Sequence, residues 1–290
     1  MNRPSLILLV GVPGSGKTTY ADGYMSRYLN TIHLSSDKIR AELWGNEAIQ
    51  GDNDMVFSIM QSRAIEALHD GKNVIYDATN ITRKDRAHII NMCPKFVKIE
   101  AHVVWAPIEI CIERDASRER TVGKHVIDKM LKRFQPPFYD EGIQEIKIIV
   151  PDGFDSRAYL HKVFDDTRIP HDNPHHTLNI YEHCKEAYVN ACMLDVDIEL
   201  ERAAMMHDIG KPYVKAFFDT KENPSDIAHY YSHHNLSAWM SYGMANTTPF
   251  VAWLVGNHMD PFLNTKYYRN MSNCLKKYID MLHECDLNAH

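Results

Sequence analysis

An apolar hexapeptide, Ser5-Leu6-Ile7-Leu8-Leu9-Val10, runs straight into Gly11-Val12-Pro13-Gly14-Ser15-Gly16-Lys17-Thr18. Few folds accommodate that order. A buried strand must end in a turn whose glycines reach backbone conformations closed to other residues, and Lys-Thr must then open a helix. Such a turn presents backbone N–H groups to phosphate, and the helix N-terminus adds partial positive charge. Gly11, Gly14, Ser15 and Gly16 supply the turn. Lys17 suits the β- and γ-phosphates of ATP, the Thr18 hydroxyl suits Mg²⁺, and Thr19 extends the same first helical turn. The segment from Met1 to Val10 lacks a leader-peptide cleavage pattern and reads as a strand.

Apolar, β-rich runs recur at residues 31–34, 73–76, 96–105 and 146–150, with helical patterns between them, such as 56–69 with Val56, Ile59, Met60, Ala64 and Leu68. Strands alternating with helices predict an α/β domain, a parallel sheet flanked by helices. Pro151-Asp152-Gly153 punctuates the chain, so the expected domains are 1–151 and 152–290. The second half changes character. Residues 178–193, 197–209, 234–244, 249–258 and 272–288 carry helical spacing, with Asp195 and Thr248 as candidate N-caps and Gly210 and Pro212 ending one helix. This half is expected to be all-α.

Charge and histidine divide unevenly. Residues 151–290 hold 12 basic and 19 acidic side chains and 12 of the 17 histidines, whereas residues 1–150 hold 20 basic and 19 acidic. An acidic, His-rich half suits metal binding. The overall charge of −6 excludes a broad nonspecific nucleic-acid coat but leaves room for a local basic groove. Six scattered cysteines without a Cys-x-x-Cys pair point to buried thiols in a reducing cytoplasm. No apolar run reaches the roughly 20 residues that span a bilayer, so no membrane partner is expected.

Three further segments of the first half bear on chemistry. Ser35-Ser36-Asp37-Lys38-Ile39-Arg40 follows the second strand, at the edge where open α/β sheets place ligands. Asp37 there either takes a proton from an attacking hydroxyl or merely caps the next helix, and Arg40 suits an anionic group. Asp77 tips the third strand, a position suited to Mg²⁺ or its waters. Arg114 and Arg118, four apart, are expected to share one helix face. Two guanidiniums there neutralise a transferring phosphoryl group or decorate an exposed helix of mixed charge. Residues 113–133 carry 7 basic and 4 acidic side chains.

With the Gly-rich loop, Asp37–Arg40, Asp77-x-Thr79-Asn80, Arg114/Arg118 and residues 126–130, the first 150 residues resemble the polynucleotide 5′-kinase branch of the P-loop kinases. The resemblance implies Asp37 as general base for a 5′-hydroxyl, Arg40 on the acceptor's phosphate, and Arg114 with Arg118 clamping the donor. Small-molecule kinases of the P-loop class share much of this pattern.

In the second half, Ala203-Ala204-Met205-Met206-His207-Asp208-Ile209-Gly210-Lys211-Pro212 sets His and Asp side by side. Adjacent helical residues point roughly 100° apart, so both reach one metal only near a helix end. His183, His233 or His234, His258 and Asp286 are further candidate ligands, and such a donor set suits a divalent transition metal with room for an activated water. The segment resembles the HD phosphohydrolase superfamily. Its ordered pattern maps onto His183, His207-Asp208, His233, His258 and Asp286, with His234 a rival to His233 and Asp280 a weaker rival to Asp286. One or two ions remain open. His175-His176 and Lys211 are candidates for substrate phosphate. Tyr230, Tyr231, Trp239, Trp253, Tyr267 and Tyr268 either pack the core or stack bases.

Together the resemblances imply RNA or DNA end healing. ATP and Mg²⁺ serve phosphorylation of 5′-OH ends, and a metal-dependent hydrolase opens or removes 3′ or 2′,3′-cyclic phosphates. An RNA ligase then acts downstream, in a bacterial or phage-infected cytoplasm. The alternatives are a nucleotide or small-molecule kinase fused to a mononucleotide phosphohydrolase, and a non-catalytic, nucleotide-responsive RNA binder.

Overall fold

The computed structural model describes residues 3–47, 49, 51–173 and 177–289. The chain divides into two compact units, Met1–Met130 with Pro137–Asp152, and Leu131–Pro136 with Gly153–His290.

The first unit is a five-stranded, wholly parallel sheet with strand order β2-β3-β1-β4-β5. Its elements are β1 (Ser5–Val10), α1 (Lys17–Arg27), β2 (Thr31–Ser35), α2 (Ser36–Trp44), α3 (Asn53–His69), β3 (Asn73–Asp77), α4 (Arg83–Ile90), β4 (Lys98–Val104), α5 (Ile108–Ala116), α6 (Lys124–Leu131), a 3₁₀ turn at Tyr139–Glu141, and β5 (Glu145–Ile149). Leu6 to Val10 are fully buried, because a central parallel strand is covered on both faces. Ile7, Leu9, Ala21, Ile75 and Val104 form one core layer, to which Tyr20, Tyr24, Met25 and Ile149 are packed. The register Leu9↔Asp77↔Ser35 brings the carboxyl ends of β1, β2 and β3 to one edge. That edge is where the Gly-rich loop leaves the sheet.

The second unit is helical: α7 (Ser156–Asp166), α8 (Ile180–Cys192), α9 (Ile198–Met206), α10 (Lys211–Val214), then α11 (His233–Ser241), α12 (Pro249–Asn257), α13 (Asp260–Leu263), α14 (Lys266–Arg269) and α15 (Asn273–Leu287). Between α10 and α11 it carries a two-stranded antiparallel hairpin, β6 (Ala216–Phe218) and β7 (Pro224–His229), which sequence periodicity did not signal. Thr248 caps α12, accepting from the Val251 N–H. Asp195 does not cap α9. It sits at φ 49, and Asp197 occupies the N-cap position. Trp239 and Trp253 are fully buried, so they are core residues rather than a base-stacking surface. Phe134 stands edge-on to Trp239 at 5.2 Å, and Asn235 donates to the Lys132 carbonyl.

All six cysteines are unpaired. Cys111, Cys184 and Cys285 are buried, but Cys192 and Cys274 are exposed, against the expectation of buried thiols. Among the described residues no helix is long and apolar enough to cross a membrane.

Candidate active sites

The Gly-rich loop joins β1 to α1. Gly14 holds φ +79, and a Cβ on it would lie 2.1 Å from the Cys111 carbonyl oxygen, so both conformation and the close approach of α5 demand glycine. Lys17 Nζ donates to the Gly11 and Val12 carbonyls at 2.8 and 3.0 Å. Burial pushes its ammonium below the usual lysine range, and the Asp77 carboxylate opposes that shift. Ser15 Oγ is buried without a hydrogen-bond partner among the described residues, and Thr18 and Thr19 are exposed in the first turn of α1. No acid occupies that turn. An orphaned hydroxyl, free first-turn N–H groups and a lysine fit a nucleotide's phosphates.

Asp77 ends β3, buried, and accepts from or shares a proton with His33 Nε2 of β2 at 2.9 Å. The strand tip is tied to the loop. Gly11 N–H donates to Thr79 O at 3.0 Å, and Asn80, in the left-handed region at φ 47, donates Nδ2 to Leu9 O at 2.8 Å. Arg86, fully buried, donates to Asn80 O and pairs with Glu141 through two nitrogens. His33 and the Arg86–Glu141 pair were missed in the sequence. The only available signal for His33 was its position two residues before a register partner of Asp77.

Asp37 lies in the first turn of α2 but does not cap it. Ser35 is the N-cap residue and no side chain makes a capping bond there. Instead Asp37 Oδ1 accepts from Arg40 Nη1 at 3.0 Å and from Arg120 Nη1 at 3.3 Å. The Asp37 side chain is 53% exposed, open to an incoming group.

Arg114 Nη1 lies 3.7 Å from where a Cβ on Gly16 would stand, so it covers the loop, and the charge of Arg118 is felt at Lys17. The two do not share a helix face. α5 ends at Ala116, and Arg118 sits in the turn beyond it. The cause is Asp115, a buried carboxylate that accepts from Thr121 Oγ1 and from the Val122 and Gly123 N–H groups, folding the chain back.

The second unit gathers His183 (α8), His207 and Asp208 (the end of α9 and the following turn), His233 (α11), His258 (the end of α12) and Asp286 (α15). Two ligand groups share Asp208. His183, His207, Asp208 and Asp286 form one, and Asp208, His233 and His258 the other. Asp208 Oδ2 faces His183 and His207 Nε2 at 3.5 and 3.3 Å, whereas Oδ1 faces His233 and His258 Nε2 at 3.1 and 3.8 Å. Asp286 Oδ1 lies 2.9 and 3.2 Å from His183 and His207 Nε2.

Each of these four imidazoles turns Nδ1 onto a backbone carbonyl. His207 meets Ala204 O, His233 meets Tyr230 O and His258 meets Val255 O, all at 2.7 Å, and His183 meets Ala289 O at 2.9 Å. A carbonyl only accepts, so Nδ1 carries a proton and Nε2 is the nitrogen turned inward. Facing Nε2 atoms then lie 3.2 Å apart in both pairs, an arrangement that a cation relieves. The residues fit a divalent metal.

Burial pulls the His207 imidazole down, but the Asp208 and Asp286 carboxylates hold it well above its ordinary value. Burial raises Asp208, and His207, Lys211 and His233 hold it well below the carboxylate range.

His234 lies outside both groups, and burial pushes its imidazole down to about 3. Asp280 is turned to the Tyr268 hydroxyl. Lys211 is buried on Asp208 Oδ2 at 2.5 Å, with its ammonium 5.4 Å from the Tyr230 ring centre. Gly210 N–H donates to Ser237 Oγ, and a Cβ on Gly210 would lie 2.7 Å from His233 O, so the glycine lets α11 close on the ligand turn. His175 and His176 lie outside the described residues.

Residues 6–137 match the family described as an AAA domain, and residues 180–284 match the HD domain. Among curated proteins, the chain is 27% identical over 154 residues to transcription factor bHLH140 of Arabidopsis thaliana, covering 51% of this chain and 16% of that protein. It is 32% identical over 108 residues to 6-phosphofructo-2-kinase/fructose-2,6-bisphosphatase 4 of Homo sapiens, covering 31% and 23%. The chain spans 16% to 39% of the length of the first such relatives. Among solved structures it is similar to the Pnkp1/Rnl/Hen1 RNA repair complex, with 23% identity, TM-score 0.43, and coverage of 46% of this chain and 44% of that one. The chain thus joins a parallel-sheet unit of P-loop-kinase-like fold, most of it matched by the AAA model, to a helical unit matched by the HD model.

Proposed function

We propose that this chain, a P-loop kinase domain followed by an HD domain, heals RNA ends. The first unit transfers the γ-phosphoryl group of ATP to a 5′-hydroxyl. The second opens 2′,3′-cyclic phosphates or removes 3′-phosphates. What carries the reading is the Asp37 carboxylate, exposed and flanked by guanidiniums at the strand edge that also holds the Gly-rich loop, in a chain whose other unit assembles a phosphohydrolase-type His/Asp centre.

In the kinase unit the loop amides and Lys17 hold the donor's phosphates, with Thr18 and Asp77 as the Mg²⁺-facing groups. Asp37 accepts the proton of the attacking 5′-hydroxyl, Arg40 holds the acceptor's phosphate, and Arg114 with Arg118 offset the charge on the moving phosphoryl group. In the HD unit the four Nε2 atoms with Asp208 and Asp286 would hold divalent metal, and the two ligand groups that meet at Asp208 suit one ion or two. Bound metal supplies Lewis acidity toward the phosphate and a nucleophile at neutral pH. Lys211 holds Asp208 in place and adds positive charge. Where the monoester left by opening the cycle is also removed, the products are a 5′-phosphate and a 3′-hydroxyl, the ends an RNA ligase joins, which makes a ligase the downstream partner.

A second reading is a small-molecule kinase fused to a mononucleotide hydrolase. The identity to a 6-phosphofructo-2-kinase, an enzyme named for a small phosphorylated acceptor, favours it. An oligonucleotide bearing a 5′-OH and a 2′,3′-cyclic phosphate, incubated with ATP, Mg²⁺ and a series of manganese, nickel, cobalt, zinc and iron, tests both. Both ends change under the first reading. Free nucleotides or sugar phosphates outcompeting the oligomer support the second, and no change at either end overturns the first.

A further inference from the structure

Three arginines follow one another from the end of α5 into the turn that Asp115 folds, and they do not point to one place. Arg114 covers the Gly-rich loop, on the donor side. Arg120 instead reaches across to the first turn of α2 and donates to Asp37 Oδ1 at 3.3 Å. There it meets Arg40, whose Nη1 donates to the same oxygen and whose Nη2 donates to Asn53 Oδ1 of α3 at 2.9 Å. Arg40 Nε is buried and has no hydrogen-bond partner among the described residues.

The charges at this corner do not cancel. One carboxylate faces two guanidiniums, which leaves one positive charge over. Asp52, the neighbour of Asn53, is committed to the Asp54 and Met55 N–H groups, with its charge set against the N-terminus of α3. The Arg120 side chain is 23% exposed and Asp37 is 53% exposed, so the excess charge faces an accessible opening. A guanidinium fork is suited to two oxygens of one phosphate, and a single such group of charge −1 balances the corner.

We infer that Arg120 is an acceptor-side specificity residue, pairing with Arg40 on the phosphodiester next to the 5′-hydroxyl. The inference rests on the kinase reading above and narrows it: the acceptor carries an anionic phosphodiester adjacent to its hydroxyl, and neutral acceptors are discriminated against. It also gives the turn after α5 two duties, Arg114 and Arg118 holding donor and Arg120 holding acceptor. Asp115, which shapes that turn, acts on both through position alone.

The test is equilibrium binding to the full chain, with Mg²⁺ and ADP present, of two 5′-OH dinucleotides. One has a normal phosphodiester, and the other has a neutral methylphosphonate at the same linkage. The wild-type chain is expected to favour the charged dinucleotide at least about tenfold. Arg120→Gln is expected to reduce that ratio to about threefold or less while leaving ADP affinity within about twofold, and Arg120→Lys to restore part of it. An unchanged ratio in R120Q, in a chain that still binds and phosphorylates the dinucleotide, overturns the role of Arg120 alone. Loss of ADP affinity in R120Q with the ratio intact makes Arg120 a donor residue and also overturns it. A wild-type chain that binds neither dinucleotide overturns the kinase reading itself.

Discussion

At the scale of single residues, partners decide what a charged or polar side chain does. Asp77 is held by His33, so under the proposed function His33→Ala leaves the carboxylate free to turn from the pose assigned to it toward Mg²⁺. Kinase assays across a Mg²⁺ titration should show the KM for Mg²⁺ rising about tenfold or more, with kcat at saturating Mg²⁺ much less affected. An equal fall in kcat at all Mg²⁺ concentrations would contradict this. Glu100 is a different case, a buried carboxylate on β4 that binds Ser5, His102 and Lys147. Burial alone raises it, and the contacts with His102 and Lys147 outweigh burial and hold it well below the carboxylate range. Its contribution is therefore complete above the unfolded value of about 4.3 and is lost as pH falls through the lower folded value. Glu100→Gln should cost about 2 kcal/mol at neutral pH and flatten the acid limb of stability below about pH 4, read by denaturant titration at several pH values.

At the scale of elements, the parallel strands were legible because strands buried on both faces are continuous apolar runs, and β1 is the clearest of them. The helices of the second unit were legible from their 3.6-residue spacing. The β6–β7 hairpin was not, since Ala216–Phe218 is too short for a period and Pro224–His229 is largely polar. Four residues separated Arg114 from Arg118, which wrongly implied one helix face. The helix stops because Asp115 binds the Thr121 hydroxyl and the Val122 and Gly123 N–H groups, six to eight residues ahead, a tertiary event that no local spacing encodes. His207 and His258 sit at helix ends that pattern could place, but the partner that orients His183 is Ala289, 106 residues away. That contact makes a prediction about α15. A chain ending at Asn288 keeps Asp286 but loses the carbonyl that fixes the His183 ring. Metal affinity, measured by competition with a chelator, should fall about 10- to 100-fold with the helical far-UV signal retained. Unchanged affinity would remove Ala289 from the account.

At the scale of the whole molecule, the proposed function divides two chemistries between separate sets of residues. The first unit places Lys17, Asp37 and Arg40 at one sheet edge, and the second places four histidines around Asp208. No residue of one set belongs to the other. The direct measurement follows a single oligonucleotide bearing a 5′-OH and a 2′,3′-cyclic phosphate through wild type, Lys17→Ala and Asp208→Ala, each shown to be folded. Lys17→Ala should lose at least about 100-fold in 5′-phosphorylation and keep the 3′-end reaction within about twofold. Asp208→Ala should do the reverse. A folded variant in which one substitution silences both ends, or in which neither substitution affects its own end, would contradict the account.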